Sequence, residues 1–145
     1  MALMLACAPG AAAQQPEKGY WRAASTTANS ITGDLEISAS KVTINFTAFP
    51  IAQARTLTPA EVSAAFDADV NAGGTGTLYH LNVSAERRFL HHNTLCGSED
   101  TQWMATFVSG HTLQVAFFSG QSAPIFTFDA ISHSADLCGT FAYAR

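Results

Sequence analysis

The chain has 145 residues, enough for one domain with a real core and too few for two ordinary ones. Charged residues make up 12%, the net charge is −4, and Arg87-Arg88 is the one adjacent basic pair, so the concentrated basic surface that nucleic-acid binding needs is excluded. No apolar run approaches the roughly 20 residues of a membrane-spanning helix.

Met1 to Ala13 reads MALMLACAPGAAA: a short apolar run, a Pro9-Gly10 break, then the small residues that signal peptidase accepts. Residues 1–13 are therefore expected to be a signal peptide whose true start lies upstream, because a basic leader is missing. The alternative is a lipoprotein signal with a lipid anchor at Cys7. Residues 14–18 read as a polar tether, and 19–145 as a single β domain.

Tyr20 to Ala24 predicts a first strand, and Ser30 to Ser38 continues the β pattern with Gly33 as a bulge or bend. Val42, Ile44 and Phe46 alternate with Thr43, Asn45 and Thr47, the clearest period of two in the chain. Thr58-Pro59-Ala60-Glu61 then announces a helix over about 58–66: an N-cap hydroxyl, proline at the first helical position and the glutamate of a capping box. The glycines of Asn71-Ala72-Gly73-Gly74-Thr75-Gly76 end it. Strands resume with Tyr79, Leu81 and Val83 on one face. Arg88-Phe89-Leu90 predicts a short strand. On Gln102 to Val108, Trp103, Ala105 and Phe107 are expected to face the core. Ser109-Gly110-His111 is a hairpin turn signal, and Leu113, Val115 and Phe117 face inward beyond it. Ile125 to Phe128 and Gly139 to Tyr143 complete the set. About eight short strands with one helix and one disulfide make an all-β fold, a small antiparallel barrel or sandwich, with the barrel-like meander favoured.

If Cys7 leaves with the signal, two cysteines remain, in Leu95-Cys96-Gly97 and Leu137-Cys138-Gly139. In an oxidising compartment they pair most simply with each other; two buried free thiols are the alternative. The bridge encloses 41 residues, 97 to 137, a loop whose closure stabilises by about 4 kcal/mol on the chain-entropy account.

Chemistry is harder to find. Asp67, Asp69 and Asn71 place oxygens at alternate positions, as a calcium loop begins, but Ala72 and Leu78 stand where that loop needs glycine and glutamate. They read as an acidic helix exit. His91 and His92 are adjacent, so a strand would point them apart; they are candidates for partner or ligand contact and, with His80, for a metal-dependent site. His111 and His133 are scattered among turns. Asp34 and Glu36, two apart, share a strand face and read as solvated carboxylates. No nucleophile elbow occurs, and bridged cysteines cannot act as thiolates. Met104 and Phe118 lie opposite the expected core faces of their strands. Either they form an exposed contact patch, or the helix and neighbouring strands cover them.

The runs Ile31-Thr32-Gly33-Asp34-Leu35, Asn93-Thr94-Leu95-Cys96-Gly97 and Leu137-Cys138-Gly139-Thr140-Phe141-Ala142-Tyr143 resemble a set of small exported proteobacterial proteins without an assigned activity. The resemblance implies export and paired cysteines, and no catalytic residues. In plan the chain is also similar to small periplasmic lysozyme and protease inhibitors, disulfide-stapled barrels of like size. The expectation is a periplasmic or secreted non-enzymatic binding module acting through an edge, a loop or a barrel mouth on an unknown protein or small ligand, with no cofactor. A small metal-dependent or hydrolytic enzyme and a structural envelope component are the alternatives.

Overall fold

The computed structural model describes residues 16–71 and 73–145. The expected signal and Cys7 lie outside them. Eight antiparallel strands run in order around a closed barrel: β1 (Gly19–Ala23), β2 (Leu35–Ile37), β3 (Lys41–Ile44), β4 (Thr47–Leu57), β5 (Thr75–Val83), β6 (Thr101–Ser109), β7 (Thr112–Phe118) and β8 (Leu137–Ala144). Each strand pairs with its neighbours in sequence, and β8 returns to β1 through Arg22–Ala144 and Ala23–Tyr143. The seam is short, so side chains finish it. Ser25 Oγ accepts from the Ala142 amide at 3.0 Å, and Thr27 Oγ1 donates to the Thr140 carbonyl at 2.9 Å. The barrel rather than the sandwich is the architecture. It leaves no strand edge for a partner among the described residues.

Eight strands enclose a space that side chains alone can fill. Trp21, Leu35, Ile37, Ile44, Tyr79, Leu81, Met104, Leu113, Phe117 and Tyr143 fill it, each essentially buried. A second apolar layer lies outside the wall. Helix α1 (Pro59–Phe66) sets Val62 and Phe66 against Leu78, Ala105 and Phe107, while Phe126, leading into α2 (Phe128–Ser132), covers Phe118 with ring centres 5.7 Å apart. The expected capping box of α1 is present: Thr58 Oγ1 accepts from the Glu61 amide at 3.2 Å, and the Glu61 carboxylate accepts from the Thr58 amide at 3.0 Å.

This outer layer corrects the face expected for β6. Met104 and Val108 point into the barrel, and Trp103, Ala105 and Phe107 point outward beneath the covering elements. Both faces of β6 are apolar, so alternation alone had no side to prefer. Met104 and Phe118 are 0% and 1% exposed, so neither forms a patch: Met104 lies inside the barrel, and Phe118 lies outside the wall under Phe126. Two expected strands are absent. Arg88-Phe89-Leu90 enters a single 3-10 turn (Leu90–His92), and Ile125 to Phe128 leads into α2. In both stretches one phenylalanine, Phe89 or Phe126, turns inward as an anchor while the backbone stays irregular. Residues 30–32 belong to a π-helical turn (Ala28–Thr32) and not to β2. The eleven-residue β4 has no clear strand pattern in the sequence. Pro50 and the polar run Gln53 to Thr56 conceal it, and its register slips between Gln53 and Arg55.

The described part of the expected tether is docked. Glu17 is 2% exposed and its carboxylate accepts from the Tyr79 hydroxyl inside the barrel. The Trp21 indole donates to the Glu17 carbonyl at 2.8 Å. Arg145 donates to the carbonyls of Lys18 and Pro16 at 2.8 and 2.9 Å, and its guanidinium lies 4.0 Å from the Trp21 ring centre.

Candidate functional site

The meander places four connections at one end of the barrel: β1–β2 with the π-turn, the β3–β4 hairpin, β5–β6 (residues 84–100) and β7–β8. The β5–β6 connection and the π-turn close that mouth. Phe89 and Leu95 are buried against the interior. His91 Nδ1 and Asn93 Nδ2 both donate to the Ser30 carbonyl at 3.1 Å, tying the 3-10 turn to the π-turn. From within, the hydroxyls of Tyr143 and Thr32 meet at 2.6 Å. Burial pushes the Tyr143 phenol far above its ordinary range, as it does for Tyr79 at the other end. Each end is thus pinned by one interior tyrosine to its covering segment.

At this same end the backbone carries unusual conformations. Among the described residues five non-glycines have positive φ, and four of them sit here: Asn45 (48°), Phe46 (68°), His91 (56°) and His92 (60°). Asn45 and Phe46 form the tight β3–β4 turn, whose handedness matches the twist of its strands when both central residues have φ > 0. Asparagine tolerates that conformation; phenylalanine pays for it. Phe46 is nonetheless 99% exposed and packs on nothing that would offset the strain. Strain of this kind concentrates at functional positions.

Beside Phe46 runs a groove of about 430 Å³, lined on one side by Asn45 and Thr43 and on the other by Thr32, Asp34 and Leu90. Tyr20 and Glu36 complete its floor; they are cross-strand partners on the outer face of β1 and β2. The Tyr20 hydroxyl donates to Asp34 Oδ2 at 2.5 Å, and the Ala23 amide donates to Asp34 Oδ1 at 2.8 Å. The hydrogen bond from Tyr20, and then that from Ala23, hold the Asp34 carboxyl below its ordinary range, and the same contact raises the Tyr20 phenol. The expected pair of solvated carboxylates therefore splits. Asp34 is a structural acceptor that orients Tyr20, while Glu36 has no hydrogen-bond or ion-pair partner among the described residues. Arg22, on the far side of Tyr20, lines a separate groove.

The other candidates do not converge. Comparison of the chain with protein-family models, with curated proteins and with solved structures finds no match. Asp67 caps the C-terminus of α1, and Asp69 Oδ1 accepts from the Asn71 amide at 2.9 Å, an ordinary turn. His80 stands against Trp103 on the outer wall, His111 is in the β6–β7 turn and His133 ends α2. Among the described residues no three His, Cys, Asp or Glu side chains gather as metal ligands do. Ser132, His133 and Asp129 touch one another on the exposed face of α2, but the Ser132 hydroxyl donates to the Asp129 carbonyl, which gives it no base. Cys96 and Cys138 form the expected disulfide, with Cα atoms 4.9 Å apart. It joins the β5–β6 connection to the start of β8. His91 and His92, expected to diverge along a strand, instead follow one another in left-handed backbone on a tight turn. The alternation of Val42, Ile44 and Phe46 in the sequence extends the strand through Phe46. The Asn-Phe pair between apolar positions was the signal for a turn, but it lacked the glycine that marks one.

Proposed function

We propose that this protein is an exported, non-catalytic binding module that presents Phe46 to a pocket on a partner protein. The carrying observation is a fully exposed phenylalanine held in left-handed backbone at the tip of a two-residue turn on a closed barrel. A rigid aromatic knob binds at low entropic cost, because little freedom is left to lose. The groove beside it, with the unpaired carboxylate of Glu36, favours a basic rim on the partner. A small barrel can bind through an edge, a mouth or a loop. The closed wall argues against the first, the packed interior and docked caps against the second and against a small ligand inside the barrel. The disulfide supports a periplasmic or secreted setting.

The test is photo-crosslinking in the cells that export the protein. A benzophenone analogue replaces Phe46, with the same analogue at exposed Val70 as control. The expected result is a discrete adduct at position 46 alone, and a purified partner whose Kd rises at least 100-fold with Phe46→Gly while the melting temperature does not fall. Equal labelling at both positions, or unaltered affinity of the variant, would overturn the reading.

A further inference from the structure

The β5–β6 connection, residues 84–100, lies at the knob-bearing end and supplies one wall of the groove through Leu90. It holds a costly shape. His91 and His92 are consecutive left-handed residues, and neither is glycine. Against that strain stand Phe89 and Leu95 in the core, two hydrogen bonds to Ser30, and the bond from Cys96 to Cys138.

The bridge is not needed to close the barrel. β8 is hydrogen-bonded along β7 from Thr112–Ala144 to Phe118–Leu137, and it reaches β1 at the opposite end of the strand from Cys138. Both cysteines are part-exposed, so a reductant can approach. Thr101 Oγ1 donates to Cys96 Sγ at 3.1 Å, a contact that would stabilise negative charge on that sulfur as it leaves.

We propose that the Cys96–Cys138 bond is a redox latch on the groove: reduction releases residues 84–100 and dismantles the Leu90 wall while the barrel stays closed. The inference rests on reading this end as the binding site. The reductant is a dithiol. One of its thiolates attacks a bridge sulfur, the S–S bond breaks and a mixed disulfide forms. Its second thiol then displaces the protein, so that two electrons and two protons pass to Cys96 and Cys138 and the reductant leaves as a disulfide.

Amide hydrogen exchange of oxidised and dithiothreitol-reduced protein tests the latch without any partner. On reduction, exchange at His91 to Leu95 should rise at least tenfold, with β5, β6 and β7 amides changing less than twofold. His92→Gly, which removes one left-handed penalty, should recover part of that protection in the reduced protein. A Cys96→Ser/Cys138→Ser double variant should match the reduced wild type. Unchanged exchange in the connection would overturn the latch, as would general loss of protection across the barrel. If exchange behaves as expected but position 46 captures no partner, the latch stands and the binding role falls.

Discussion

Phe46 sets stability against availability. Left-handed backbone costs a phenylalanine about 1–2 kcal/mol, whereas glycine there loses only its extra chain entropy of about 0.5–1 kcal/mol. Since the ring buries nothing, Phe46→Gly should stabilise the isolated protein by up to about 1 kcal/mol in urea unfolding even as it removes binding. Glu17 behaves oppositely. Its carboxylate is the partner of a buried hydroxyl, so Glu17→Ala leaves Tyr79 unsatisfied at a cost of about 1–3 kcal/mol. Tyr79→Phe in the same background should return part of it in a double-mutant cycle. Neither role was legible beforehand. The first depends on a turn whose usual glycine is absent, the second on one residue of a polar stretch folding back into a barrel whose closure no local pattern announces.

The helix α1 shows the opposite case, since Thr58-Pro59-Ala60-Glu61 carries its own start signal within four residues. Glu61 also accepts from Arg55 at 2.6 and 2.7 Å, and that contact above all holds its carboxyl down at about 2. A depressed carboxyl stabilises the fold above its unfolded pKa of about 4.5 and loses that contribution as pH falls toward about 2. The pair is part-exposed, so the step should be under about 1 kcal/mol, and Glu61→Gln should flatten it in melts taken across that range. Where the helix docks, a Cβ on Gly76 would lie 2.4 Å from Val62 Cγ2 and 3.1 Å from Leu57 Cβ. Gly76→Ala should therefore cost about 1–3 kcal/mol, part of it recovered by Val62→Ala. That glycine read as loop chemistry in the sequence; its function is to let a helix lie against the wall. β4 and the outward face of β6 were illegible for a related reason. Periodicity reports alternation, and alternation fails where a strand bulges or where both faces are covered.

At the scale of the molecule, strand count and hairpin order pointed to the barrel, and cysteine parity with the repeated Leu-Cys-Gly pointed to the bridge. What locality could not supply was the set of caps: the docked Glu17, the paired π- and 3-10 turns, and Phe126 folding back over the wall. Each joins residues far apart in sequence. The seam is the weakest part of the wall, since β1 and β8 share few ladder pairs and Ser25 contributes the acceptor for Ala142. Ser25→Ala should lower stability by about 1 kcal/mol or more and raise hydrogen exchange first at Ala142.

That same seam sets a timetable. β1 finds β2 early, but its other neighbour is β8, so one side of the earliest strand stays unpaired until nearly the whole chain is available, and contacts of such long sequence separation form slowly. A polypeptide threaded across a membrane from its leading end would remain open for the entire passage and would seal only when its last strand arrived on the far side.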